Sequence, residues 1–189
     1  MKILQDHKLT IAAGVALTLI LMVIGIQTSG TYQGVDPFGL ARFGHILAGI
    51  TWIGLLYYFN FVQVPSLGNV TAETKADLFK EGSIVRRALW WFRWGAMFTL
   101  IFGIALFAQL GADIGWDIRI AATFGIIMWF NVWFIIWPAQ KKVIGMVEAT
   151  ADEKAAAGKR ALMASRINTL LSIPMLMFMV SSAHFPIFQ

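Results

Sequence analysis

Charged residues gather in patches along this chain and leave five stretches with no Asp, Glu, Lys or Arg: Leu9 to Val35, Phe43 to Thr71, Trp94 to Ala112, Ile120 to Gln140 and Ile167 to Gln189. A helix needs roughly 20 mostly apolar residues to cross a bilayer, and each stretch supplies a core of about that length. The alternation that marks barrel strands is absent, so the pattern predicts helices. The expected fold is an all-α, polytopic membrane helix bundle with five transmembrane helices. It forms one integral domain over residues 1–189, with spans at about 9–27, 40–64, 88–110, 118–138 and 167–186.

Turn and capping residues mark the ends of these spans. The run from Ser29 through Gly34 to Asp36 reads as an outer loop. Asp36 followed by Pro37 suits the start of the second helix, and Pro65 with Gly68 suits its end. Thr71 to Lys80 carries acid early and base later, as a short surface helix should. Arg86 and Arg87 mark the inner end of the third span. Asp113, Gly115 and Asp117 form the turn into the fourth, which ends near Pro138. Residues Lys141 to Arg166 are rich in Ala, Lys and Glu and are expected to continue as helix beyond the membrane. The first span reads as a retained anchor helix rather than a signal peptide. No internal repeat stands out.

Composition agrees: 58% hydrophobic residues and a mean hydropathy of +0.70 exceed what a soluble domain of 189 residues would use, and 13% charged residues fall below it. The net charge of +5 could suggest nucleic acid, but its placement excludes that reading. Lys2 and Lys8 precede the first span. Lys75, Lys80, Arg86 and Arg87 follow the second, and Lys141, Lys142, Lys154, Lys159, Arg160 and Arg166 follow the fourth. The other side receives only Arg42 and Arg119. The positive-inside rule then places the N-terminus in the cytoplasm and the C-terminus outside, in a bacterial inner membrane. The chain has no cysteine, which removes disulfides, iron–sulfur clusters and covalently attached haem.

An ionisable side chain inside lipid is costly unless something pairs with it. His45 and His184 each lie a few residues inside the outer end of a different span. Two imidazoles from separate helices suit the axial positions of haem b; one imidazole with a weaker partner suits a ligand-binding haem, copper or zinc. Gly49, Trp52, Leu56 and Phe59 share the helix face of His45, and Gly49 leaves a flat opening one turn away. Gly49, Trp52 and Phe185 would shape such a pocket. The plainer readings are that the glycines let helices pack closely and that His184 bonds to headgroup water. His7 precedes the first span and is expected to be solvated. At the other end, Arg93 sits within Trp90-Trp-Phe-Arg-Trp94, with Asn131 and Asn168 in the following spans. These three residues either form a polar pocket for an anionic substrate or separate into a snorkelling Arg and packed amides. Trp129, Trp133 and Trp137 form a stripe on one helix face. No nucleophile elbow or phosphate loop is present.

At these residues the chain resembles the membrane domain of bacterial membrane-bound urate oxidase, whose full-length members carry a cytochrome c tail. Four segments in order carry the likeness: His45-Ile-Leu-Ala-Gly-Ile-Thr-Trp52-Ile-Gly54, Trp91-Phe-Arg-Trp94, Asn131-Val-Trp-Phe-Ile-Ile-Trp-Pro138-Ala-Gln-Lys-Lys142 and Ile173-Pro-Met-Leu-Met-Phe-Met-Val-Ser-Ser-Ala-His184-Phe-Pro186. The opening His45 helix also resembles the membrane protoporphyrinogen oxidase family, small proteins that bind haem b. The first likeness implies a redox role in the membrane, with electrons leaving toward an outward c-type cytochrome. His45 and His184 match the family's membrane histidines, and Arg93 matches a basic position between tryptophans. The chain is shorter than the family's membrane part, and its first helix has no counterpart there. Without haem-attachment cysteines, the cytochrome would be a separate chain.

The expected function is therefore a haem b protein passing electrons toward a periplasmic cytochrome. Two alternatives stand beside it. One is an oxidase acting on a heterocycle or porphyrinogen, with Arg93, Asn131 and Asn168 orienting the substrate. The other is a structural subunit of a larger membrane complex.

Overall fold

The computed structural model describes residues 2–29, 34, 36–110 and 114–188, and these form helices with no strand among them. Parts of the expected outer loop, at 30–33 and 35, and Asp113 of the expected turn lie outside the described residues. Five helices are long and apolar enough to cross a membrane. The chain falls into two compact units, Met1–Asp36 and Pro37–Gln189.

The first unit holds α1 (Lys2–Gln5) and α2 (His7–Ser29). Asp6 stands between them and accepts from the Lys8 backbone N–H at 2.8 Å, which satisfies one of the free amides at the start of α2.

The second unit consists of two helical hairpins. The first runs from α3 (Pro37–Tyr57) through a π-helical turn, π1 (Tyr58–Gln63), into α4 (Val64–Leu67). It returns through surface helix α5 (Ala72–Phe79) and α6 (Ile84–Phe107). The second hairpin runs from α7 (Trp116–Phe130) through π2 (Asn131–Ile136) into α8 (Trp137–Val143). It returns as α9 (Ala151–His184). Helix starts follow the local chemistry: Thr71 accepts from Thr74 N–H, and Thr150 and Glu153 form a reciprocal capping box. The helix expected over Lys141–Arg166 is interrupted: α8 ends at Val143, residues 144–150 are not helical, and α9 begins at Ala151.

Both π segments have the same cause. Pro65 and Pro138 each lie seven residues past the first residue of the π segment before them. A helical proline lacks its N–H and crowds the carbonyl four residues back. In each case the residue just before the proline donates five residues back, Val64 to the Phe59 carbonyl and Trp137 to the Val132 carbonyl. The widened turn makes room for the ring. The letters show no internal repeat, yet the backbone device recurs in both hairpins, near the end of the first helix of each.

Close helix contact holds the first hairpin together. A methyl group on Gly95 would come within 3.1 Å of the Trp52 backbone nitrogen, and one on Gly44 would strike the Phe102 ring. Small residues bring α3 and α6 together as they do in other membrane bundles, since lipid gives apolar side chains little reason to associate. The shared core of both hairpins includes Trp52, Leu56, Phe59, Val85, Phe92, Met128, Val132 and Ile136. Two polar links cross it from α3 and π1 to α9: the Tyr57 and Ser172 hydroxyls lie 2.9 Å apart, and Asn60 Nδ2 donates to Ser165 Oγ at 2.8 Å. Many large apolar residues remain exposed, including Phe43, Ile46, Phe61 and Phe134, as expected of lipid-facing positions.

Candidate functional site

His45 lies two turns into α3, and its ring turns toward α6. Nδ1 is 2.9 Å from the Thr99 backbone carbonyl, and Cε1 would be 3.2 Å from a methyl group on Gly103. That carbonyl is in reach although α6 is helical there, because carbonyls can accept a second bond. A carbonyl only accepts, so Nδ1 carries the proton and Nε2 keeps its lone pair. This is the arrangement by which backbone groups orient metal-binding imidazoles.

The surrounding residues divide into two kinds. Gly44, Gly95 and Gly103 serve helix packing, with the Phe102 ring, the Trp52 backbone and the His45 ring respectively filling the space beside them. Gly49 differs: a methyl group there would meet only Thr99 Cγ2, at 4.0 Å, so packing does not demand glycine. Trp52, two turns below His45 on the same face, is 2% exposed, and its Nε1 has no acceptor among the described residues. A free Nε2, an open glycine one turn away and a buried unpaired indole N–H fit a haem held by one protein ligand on this face. The donor set also fits a smaller metal, although no cluster of three His, Cys, Asp or Glu occurs among the described residues.

His184 ends α9 and is exposed. Its depth matches that of His45. Counting from the Tyr57–Ser172 link, each histidine lies twelve residues outward on its own helix, about 18 Å at 1.5 Å per residue. Ser181, three residues before His184 and about 60° round α9, is buried at 0% exposure. Among the described residues no hydrogen bond joins the two imidazoles; the His45 ring bonds Thr99 instead. Phe185, beside His184, is exposed as well.

The three residues expected at the other end are held by different partners. Arg93 lies over the Trp137 ring at 3.4 Å to the centroid, near the inner mouth. Asn131 and Asn168 are buried together: Asn131 Nδ2 donates to Asn168 Oδ1 at 2.8 Å, and Asn168 Nδ2 donates to the Met128 carbonyl at 3.0 Å. Of the tryptophan stripe, Trp133 meets Trp94 edge-on at 5.8 Å, and Trp137 carries Arg93.

Asp117 was not among the expected site residues, yet it is buried at 1% exposure. It accepts from Ser181 Oγ and from the backbone N–H groups of Ile187 and Phe188, at 2.7 to 2.8 Å. An acid in the first turn of one span, with a serine in the last turn of another, is the signal that could have marked it.

The part of the chain that holds Asp117, the Asn131–Asn168 pair and His184 also has a recognisable lineage. Residues 107–189 match the urate oxidase N-terminal family. This urate oxidase-like part covers all of the second hairpin, including both specific endings read from the sequence, at Pro138–Lys142 and His184–Pro186. The resemblance to that family is borne out there. The segments around His45 and Arg93 lie in the first hairpin, outside the matched residues, as does the helix likened to protoporphyrinogen oxidase. No curated protein and no solved structure matches the chain.

Proposed function

We propose that this is a membrane redox protein of the urate oxidase type that binds haem b at His45 and passes electrons to a separate periplasmic c-type cytochrome. The hydrogen bond between His45 Nδ1 and the Thr99 carbonyl carries the reading, because it fixes the tautomer that offers Nε2 to iron. The match of residues 107–189 to the urate oxidase N-terminal family supports the redox assignment. Bound there, haem supplies one-electron chemistry that the side chains cannot. Thr99 holds the imidazole orientation, Gly49 leaves the backbone accessible, and Trp52 offers an indole N–H to an acceptor on the bound group. His184, at the same depth on α9, is the proposed second ligand.

The same reading places the chain in a bacterial inner membrane, N-terminus in and C-terminus out, so that His45 lies near the periplasmic face. The basic residues between the second and third spans, and between the fourth and fifth, support that orientation.

The test is a reduced-minus-oxidised absorption spectrum of the purified protein. A Soret band that responds to dithionite is expected, and it should be greatly weakened in His45→Ala. A colourless protein would favour a purely structural subunit.

A further inference from the structure

The inner mouth of the second unit holds a pocket of about 320 Å³, lined by Arg86, Arg87, Trp90, Arg93, Trp137 and Met146 among others. Its three arginines are engaged differently. Arg86 is engaged by the fold: Nε donates to the Phe79 carbonyl at 3.0 Å and an Nη donates to the Ile144 carbonyl at 2.6 Å, tying α5 and the end of α8 to α6. Arg93 has no carboxylate partner and lies over Trp137, which leaves the edge of its guanidinium free to donate. The Arg87 side chain has no hydrogen bond or ion pair among the described residues, and the residue is exposed. Glu81 also lines the pocket but makes no ion pair among the described residues.

Two guanidiniums without an anion therefore share one pocket at a membrane boundary. Apart from Glu81 and Gly82 its other walls are apolar, and two are open: Trp90 is 48% exposed and Met146 54%. A soluble anion would be served by polar walls. A group with a phosphate at one end and hydrocarbon at the other suits what is present, because the guanidinium fork matches phosphate oxygens while Trp90 and Met146 lie beside the glycerol and upper chain.

We infer that Arg87 and Arg93 form a binding site for the phosphate of an anionic phospholipid headgroup, seated between α6 and α8 against Trp90 and Trp137. The site is independent of any cofactor at His45, on the opposite half of α6. It gives Arg93 a ligand without needing Asn131 or Asn168, which the fold has already paired with each other.

Native mass spectrometry of the protein released from nanodiscs of mixed phosphatidylglycerol and phosphatidylcholine tests this. One phosphatidylglycerol should be retained in preference to phosphatidylcholine. The preference should fall about fivefold in Arg87→Gln and about thirtyfold with Arg93→Gln added, since each basic residue near a lipid surface contributes about that factor. Arg87→Lys keeps the charge and should retain most of the preference. Arg87 is exposed, so its single variants report on binding even if the double variant folds poorly. Equal retention of both lipids by the unaltered protein, or an unchanged preference in Arg87→Gln, would overturn the assignment. Displacement of the lipid by inorganic phosphate alone would place a soluble phosphate there and also overturn it.

Discussion

The carboxylate of Asp117, in the first turn of α7, accepts a hydrogen bond of 2.8 Å from the backbone N–H of Ile187, seventy residues away in the chain. With its bonds to Phe188 N–H and Ser181 Oγ, it pins the segment after α9 back onto the bundle. Asp117→Ala leaves two backbone amides without their acceptor and the Ser181 hydroxyl with only the Phe178 carbonyl, at 3.2 Å. It should cost about 1–2 kcal/mol of stability. Thermal unfolding would show the loss. Hydrogen exchange should show faster exchange at Ile187 and Phe188 while the inner half of α9 stays protected.

The glycines of α3 and α6 are predicted to separate by what faces them. A methyl group on Gly95 meets backbone, the Trp52 nitrogen at 3.1 Å, which cannot rotate away. Gly95→Ala should destabilise by about 1–3 kcal/mol through overpacking. Gly54 has nothing within 4 Å, so Gly54→Ala should stay within about 0.5 kcal/mol of the parent. Equal effects in detergent unfolding would contradict the packing described for the hairpin.

The Asn131–Asn168 pair ties α9 to the π2 turn inside the core. Removing either amide leaves the other partly unsatisfied, so a double-mutant cycle with Ala at both positions should show favourable coupling. In membranes such couplings average about 0.6 kcal/mol and reach about 1.7. Zero coupling would mean that the amides bond elsewhere.

The orientation can be read directly because the chain contains no cysteine. A single thiol introduced as Lys154→Cys should react with an impermeant maleimide only in inverted vesicles. One introduced as Gln109→Cys should react only in intact spheroplasts. The reverse pattern would put His45 on the cytoplasmic side.

The spans were legible because each is bounded by charge, and lipid excludes unpaired charge; the second ran from Pro37 to Leu67 where Pro65 and Gly68 suggested an end. The π turns were not legible. Pro65 and Pro138 read as helix stops, whereas neighbouring residues re-formed the ladder around them. At the outer end, the depth of His45 and His184 followed from counting along each helix. The surroundings of His184 did not, because they depend on Ser181, three residues before it, whose partner is Asp117 of α7. The bond partner of His45 is a backbone carbonyl, which no side-chain letter reveals. Asp117 read as a turn residue because its partners are mostly backbone amides at the far end of the chain.

Haem content per chain of the purified protein tests the assignment at His45 most directly. The pyridine haemochrome assay should give stoichiometric haem b in the unaltered chain, little in His45→Gly, and recovery of His45→Gly when the cells are grown or the protein is reconstituted with imidazole. Full haem in His45→Gly without imidazole, or none in the unaltered chain, would contradict it.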